Sequence, residues 1–143
     1  MKNQEFEQRI EKYLKRQFGI TITAASKRQV YEALMSTVRE KLSEKKFAYE
    51  QELKKTKQKR AYYMSMEFLV GRTLRNNLFN LGIEKETKEY LEKNNFNLDE
   101  IYDIEPDPGL GNGGLGRLAS CYLDALTSSD YPVTGFSILY EYG

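Results

Sequence analysis

Two stretches of this sequence hold residues whose types and spacing could do chemistry. The first is Gly109-Leu110-Gly111-Asn112-Gly113-Gly114-Leu115-Gly116, with five of the chain's ten glycines. Glycine lets a backbone take φ > 0 and pass close to a ligand. A helix starting in such a loop leaves about four amide N–H groups unpaired and carries roughly half a positive charge at its N-terminus. Together these make a cradle for an anion, either a phosphate or a polarised sugar oxygen. The competing reading is a tight turn that only packs a helix against a sheet. The loop also satisfies G-x-G-x-x-G twice, at 109/111/114 and at 111/113/116. A dinucleotide site further needs a strand directly before the first glycine and an acid about 20 residues on. Glu105-Pro106-Asp107-Pro108 cannot be a central strand, so a nucleotide-binding domain is disfavoured.

The second stretch is Ala61–Val70 (AYYMSMEFLV), where Glu67 is a carboxylate in an apolar run. A buried acid requires a partner. Arg72 or Arg117 would make Glu67 a structural ion pair; a ligand would make it a binding residue. Residues 54–60 (KKTKQKR) carry five cations in seven positions. They read as a solvated loop or helix end, with a phosphate or glucan contact as the alternative.

Much other chemistry is excluded. The chain has no histidine and one cysteine, Cys121. That removes most zinc sites, every Ser-His-Asp or Cys-His mechanism carried by these residues alone, and any internal disulfide. Lysine and arginine number 22 against 21 acids, a net charge of +1, so no global field favours nucleic acid or an anionic membrane. No apolar run approaches the roughly 18 residues of a membrane span. The N-terminus lacks the apolar core of a signal peptide. A cytoplasmic protein is expected.

Periodicity supplies the elements that must position these residues. Phe6, Ile10, Leu14 and Phe18 mark an amphipathic helix over 3–18, stopped by Gly19. Residues 20–24 (ITITA) read as extended. Ser26 and Gln29 form a capping box before a helix to about residue 47, with Val30, Leu34, Val38 and Leu42 on one stripe. Residues 61–70 read as a strand. Helices follow at about 72–81, 84–94 and, after a cap at Asn97, 98–102. A helix from residue 112 or 113 to 127 should face inward through Leu115, Leu118, Tyr122 and Leu126. Residues 133–142 read as a second strand. Cys121 is expected in the core, and Arg117 and Asp124 are expected to be structural.

Three segments carry a resemblance. Tyr62–Leu74 (YYMSMEFLVGRTL) is similar to a signature of glycogen and maltodextrin phosphorylases. Gly109–Asp124 (GLGNGGLGRLASCYLD) resembles their glycine-loop motif, and Gly135–Gly143 (GFSILYEYG) their following strand. The chain thus resembles the N-terminal part of an α-1,4-glucan phosphorylase. The implied fold is α/β: an N-terminal helical region (1–60), then the start of a Rossmann-like domain (61–143) of a two-domain, GT-B type glycosyltransferase. The implied reaction is phosphorolysis of a terminal α-1,4 bond to glucose 1-phosphate, in a homodimer acting on α-1,4-glucan and inorganic phosphate. The implied cofactor is pyridoxal 5′-phosphate. By this resemblance Gly113, Gly114 and Leu115 approach substrate phosphate and sugar, Gly113 lies near the cofactor phosphate, and Glu67 is a binding candidate.

The sequence departs from the family pattern at Leu139, where arginine is usual, and at Ser137, where glycine is common. The cofactor-lysine context does not occur in these residues. The 143 residues alone are therefore expected to be inactive. The alternative is a non-catalytic glucan-binding or interaction module.

Overall fold

The computed structural model describes residues 2–141. Tyr142 and Gly143, the end of the predicted second strand and of the third motif, lie outside the described residues. The chain divides into two compact units that interleave in sequence. One comprises residues 1–48 and 73–106, the other 49–72 and 107–143.

The first unit is helical. Helix α1 (Lys2–Phe18) and the first half of α2 (Lys27–Thr56) pack with α3 (Leu74–Asn80), α4 (Glu84–Lys93) and α5 (Leu98–Tyr102). Their apolar stripes meet in one core of Phe6, Ile10, Leu14, Leu34, Leu78 and Leu91, all nearly inaccessible to solvent. Ser26 and Gln29 form the expected reciprocal box, whereas Asn97 caps alone and Glu100 pairs with Lys27 at 2.9 Å. Ser26 N donates to Gln29 Oε1 at 2.8 Å while Gln29 N donates to Ser26 Oγ at 3.3 Å. Asn97 Oδ1 accepts from Asp99 N at 2.8 Å.

Three elements of this unit differ from the sequence reading. Residues 22–24 form a 3₁₀ turn, not an extended segment. Ile22 is drawn into the core, and the backbone satisfies itself with i→i+3 bonds from Ala24 N and Ala25 N. Helix α2 runs on to Thr56, well beyond residue 47, because no glycine or proline interrupts residues 27–56. Leu42 on the predicted inner stripe is 38% exposed. Helix α3 begins at Leu74 because Glu105 caps it. That buried carboxylate accepts from Thr73 N at 2.8 Å, from Leu74 N at 3.0 Å and from Thr73 Oγ1 at 3.2 Å.

The second unit contains a two-stranded parallel sheet, β1 (Ala61–Met64) and β2 (Val133–Phe136), in register from Ala61↔Val133 to Met64↔Phe136. Between them in sequence comes α6 (Gly114–Ser128). Mostly helical with a small parallel sheet, the whole is compatible with an α/β fragment. Both strands are shorter than predicted. β1 ends where Ser65 Oγ donates to the Glu67 carbonyl at 2.8 Å and accepts from Glu67 N at 3.3 Å, turning the chain. Phe68 N and Leu69 N then bond to the glycine loop and α6 rather than to a strand.

Helix α6 is rotated relative to the prediction. Its buried residues are Gly116, Ala119 and Ser120, small side chains at i, i+3 and i+4 that let it close onto the 67–69 backbone. Leu115, Leu118 and Tyr122 are about half exposed, at 55%, 47% and 48%. Cys121, expected in the core, is exposed. Among the described residues no helix is long and apolar enough to cross a membrane.

Candidate functional site

The glycine loop is held from below by backbone bonds. Phe68 N donates to Leu110 O at 2.7 Å, Leu69 N to Gly116 O at 3.0 Å, and Leu110 N to Pro108 O at 3.0 Å. Gly111 has φ +145°, a conformation that favours glycine. Residues 105–110 form no strand, so the prolines act as the sequence suggested. Gly113 is the N-cap of α6, with an extended backbone and no side chain to cap the helix. The amides of Gly114 and Leu115 therefore open the first turn without partners from preceding residues. Residues 113–115 are exposed.

Glu67 sits directly against this loop. A Cβ placed on Gly111 would lie 3.1 Å from Glu67 Cβ and 3.4 Å from its Oε2. A Cβ on Gly116 would lie 3.1 Å from Glu67 Cβ, 3.3 Å from Oε2 and 3.2 Å from Leu69 N. The glycines at 111 and 116 are thus the space into which Glu67 fits. Glu67 is half-buried, and its carboxylate forms no hydrogen bond or ion pair among the described residues. The predicted partner Arg117 instead donates from Nη1 to Leu69 O at 3.4 Å. Arg72 makes an interaction of its own.

A cavity of about 610 Å³ opens beside this pair, lined by Met66, Glu67 and residues 108–112 and 138–140. Glu67 is the only charged side chain among these lining residues. The sequence reading brought Glu67, Gly113, Gly114 and Leu115 forward, and all four lie in this unit, with Glu67 on the cavity wall. It missed a clamp on the turn before Glu67. Ser137 Oγ and Tyr140 OH both donate to Met66 O, at 3.1 and 3.3 Å. The signal was present in Ser137, whose departure from the family glycine gives this turn an extra donor. Leu139, the other departure, is 98% exposed. The cations at 54–60 lie at the end of α2 and just beyond it, where Arg60 Nη2 pairs with Glu50 Oε2 at 2.6 Å.

Residues 91–143 match the family model described as carbohydrate phosphorylase. The chain is 44% identical over 120 residues to a glycogen phosphorylase of Chlamydia pneumoniae, covering 84% of this chain and 15% of the relative. It is 42% identical over 119 residues to the liver form of glycogen phosphorylase of Homo sapiens, covering 83% and 14%. It is 51% identical over 85 residues to alpha-glucan phosphorylase 1 of Arabidopsis thaliana, covering 59% and 9%. The matches thus span about a seventh or less of these relatives' length. These likenesses are consistent with an N-terminal part of a carbohydrate phosphorylase.

Proposed function

We propose that this chain forms the N-terminal, ligand-facing part of an α-1,4-glucan phosphorylase. The observation that carries the reading is the glycine loop, pinned to residues 68–69 while residues 113–115 at the helix start stay exposed. Preorganised amides at a helix N-terminus stabilise charge without reorganising at the moment of reaction. In the complete enzyme Gly113, Gly114 and Leu115 would hold substrate phosphate or a sugar oxygen against the first turn of α6. Glu67 would contact the substrate. The fold reading is the start of a Rossmann-like domain of GT-B type, in a cytoplasmic homodimer that uses neither nucleic acid nor a membrane.

The family implies pyridoxal 5′-phosphate, which when bound supplies a phosphate able to relay a proton. The exposed amides of Gly113 and Gly114 fit a contact to such a phosphate. No lysine occurs at residues 61–84 or 94–143, so these stretches provide no amine to anchor the cofactor. On this proposal the 143 residues by themselves do not turn over glucan.

The test is release of glucose 1-phosphate from maltodextrin and inorganic phosphate by protein recovered from the source cell with an antibody to residues 61–143. Phosphorolysis is expected there, and none from the purified 143-residue chain. Steady turnover by the short chain would contradict the division of labour; glucan binding without turnover by the recovered protein would favour the interaction-module reading. That second reading draws on the closed core of the helical unit.

A further inference from the structure

Glu105 is a buried acid with no part in the proposed reaction. It stands at the entry to the glycine loop, directly before Pro106, and its side chain reaches back to the chain at 73–74. Oε1 accepts from Thr73 N at 2.8 Å and from Thr73 Oγ1 at 3.2 Å, and Oε2 accepts from Leu74 N at 3.0 Å. Upstream of Thr73, Phe68 N donates to Leu110 O at 2.7 Å and Leu69 N donates to Gly116 O at 3.0 Å. Chain and bonds therefore close a circuit. It runs from Phe68 along the chain to Thr73, across to Glu105, along the chain to Leu110, and back to Phe68.

Residues 67–73 and 105–112 lie in no helix or strand, so no ladder of their own holds either arm of this circuit. Pro106 and Pro108 fix φ at two links of the second arm, which passes a displacement on instead of absorbing it. A carboxylate makes charge-assisted hydrogen bonds, about twice as strong as neutral ones. Burial leaves the Leu74 amide no water to turn to if that acceptor is lost. The ties at Glu105 lie within the helical unit and those at Phe68 and Leu69 within the other; the covalent chain joins them. We infer that Glu105 is a positioning residue for the glycine loop: by fixing both arms at their far end, it holds the loop to residues 68–69 in the shape that presents residues 113–115. Capping α3 is the local part of its role. That the positioned loop serves a ligand rests on the proposed phosphorylase reading; the positioning itself does not.

The experiment is native-state amide exchange on the ¹⁵N-labelled 143-residue chain and two variants. Leu14 and Leu34, both fully buried in the helical core, report global unfolding, and every other rate is read relative to theirs. Glu105→Ala removes every acceptor. It is expected to quicken exchange at Phe68 and Leu69 about tenfold, the scale of one hydrogen bond to a charged group, together with Thr73 and Leu74. Glu105→Gln keeps an oxygen in place of Oε1 and loses the Oε2 acceptor of Leu74 N. It is expected to restore most of the protection at Phe68 and Leu69, leaving an acceleration of about threefold. If Glu105→Ala does not fold, the rates at Phe68 and Leu69 in Glu105→Gln decide. Quickening at Thr73 and Leu74, with Phe68 and Leu69 moving no more than Leu14 and Leu34, is the mark of a helix cap alone and overturns the inference. Inorganic phosphate added to the native chain tests the other reading separately. No response at residues 113–115 overturns the phosphorylase reading of the loop and leaves the exchange result standing.

Discussion

The two units use apolar residues in opposite ways. In the helical unit the large side chains of α1, α2, α3, α4 and α5 converge, and Ile10, Leu14, Leu34, Leu74 and Leu78 have no accessible surface. In the sheet-bearing unit only Leu53 and Phe68 of the large apolar residues are buried among the described residues, beside the small Ala119 and Ser120, and Met64, Phe136 and Leu115 remain more than half exposed. The first arrangement stores stability in burial, at about 25 cal/mol per Å² of apolar surface. The second spends its close contacts on bringing Glu67 against the loop glycines. One unit is built to be stable, and the other is built to hold a particular backbone shape.

The sharpest way to break this comparison is to truncate one large apolar residue in each unit. Leu34→Ala removes a fully buried side chain and is expected to cost about 2–5 kcal/mol in denaturant unfolding followed by circular dichroism. Leu118→Ala, at 47% exposure, is expected to change stability by about 0.5 kcal/mol or less. Equal losses would break the comparison.

Glu105→Ala comes next. It strips three donors at the start of α3 of their acceptor and is expected to cost about 1–3 kcal/mol. Faster amide exchange at Thr73 and Leu74 would locate the loss. Gly116→Ala tests the other unit by overpacking. Its new Cβ would stand 3.1 Å from Glu67 Cβ and 3.2 Å from Leu69 N, with an expected cost of about 1–3 kcal/mol. Exchange should quicken at Phe68 and Leu69 and stay unchanged in the helical unit.

The smallest expected effect is a pH dependence confined to the helical unit. Burial, then the charge of Glu11, raises the Tyr90 phenol above its ordinary value of 10.0. Burial, then the hydrogen bond to Glu84, raises Tyr102 likewise. The folded state holds these protons more tightly than the unfolded chain. Their contribution is complete below pH 10.0 and is lost as pH rises above it. Alkaline titration should destabilise the native chain more than Tyr90→Phe, measured by the denaturant midpoint.

Apolar periodicity made the helical unit legible, because its elements bury their stripes against one another within these residues. The caps at Ser26 and Asn97 were equally visible, since they act over three and two residues. Glu105 was not visible as a cap, because its partners lie 31 and 32 residues away. The α6 face was misjudged for a related reason. Its large residues gave the stronger periodic signal, yet the backbone at Leu69 comes within 3.2 Å of a Cβ built on Gly116 and leaves no room for a larger residue there. The loop and Glu67 stood out as candidate site residues from residue type. Their mutual fit did not, because it depends on which glycine φ angles the turn adopts.

The most direct test of the account is native-state hydrogen exchange on the 143-residue chain, with and without maltooligosaccharide and inorganic phosphate together. The account predicts slow exchange throughout the helical unit whether or not ligand is present, and added protection confined to residues 109–116. Protection spread through the helical unit, or none at the loop, would contradict it.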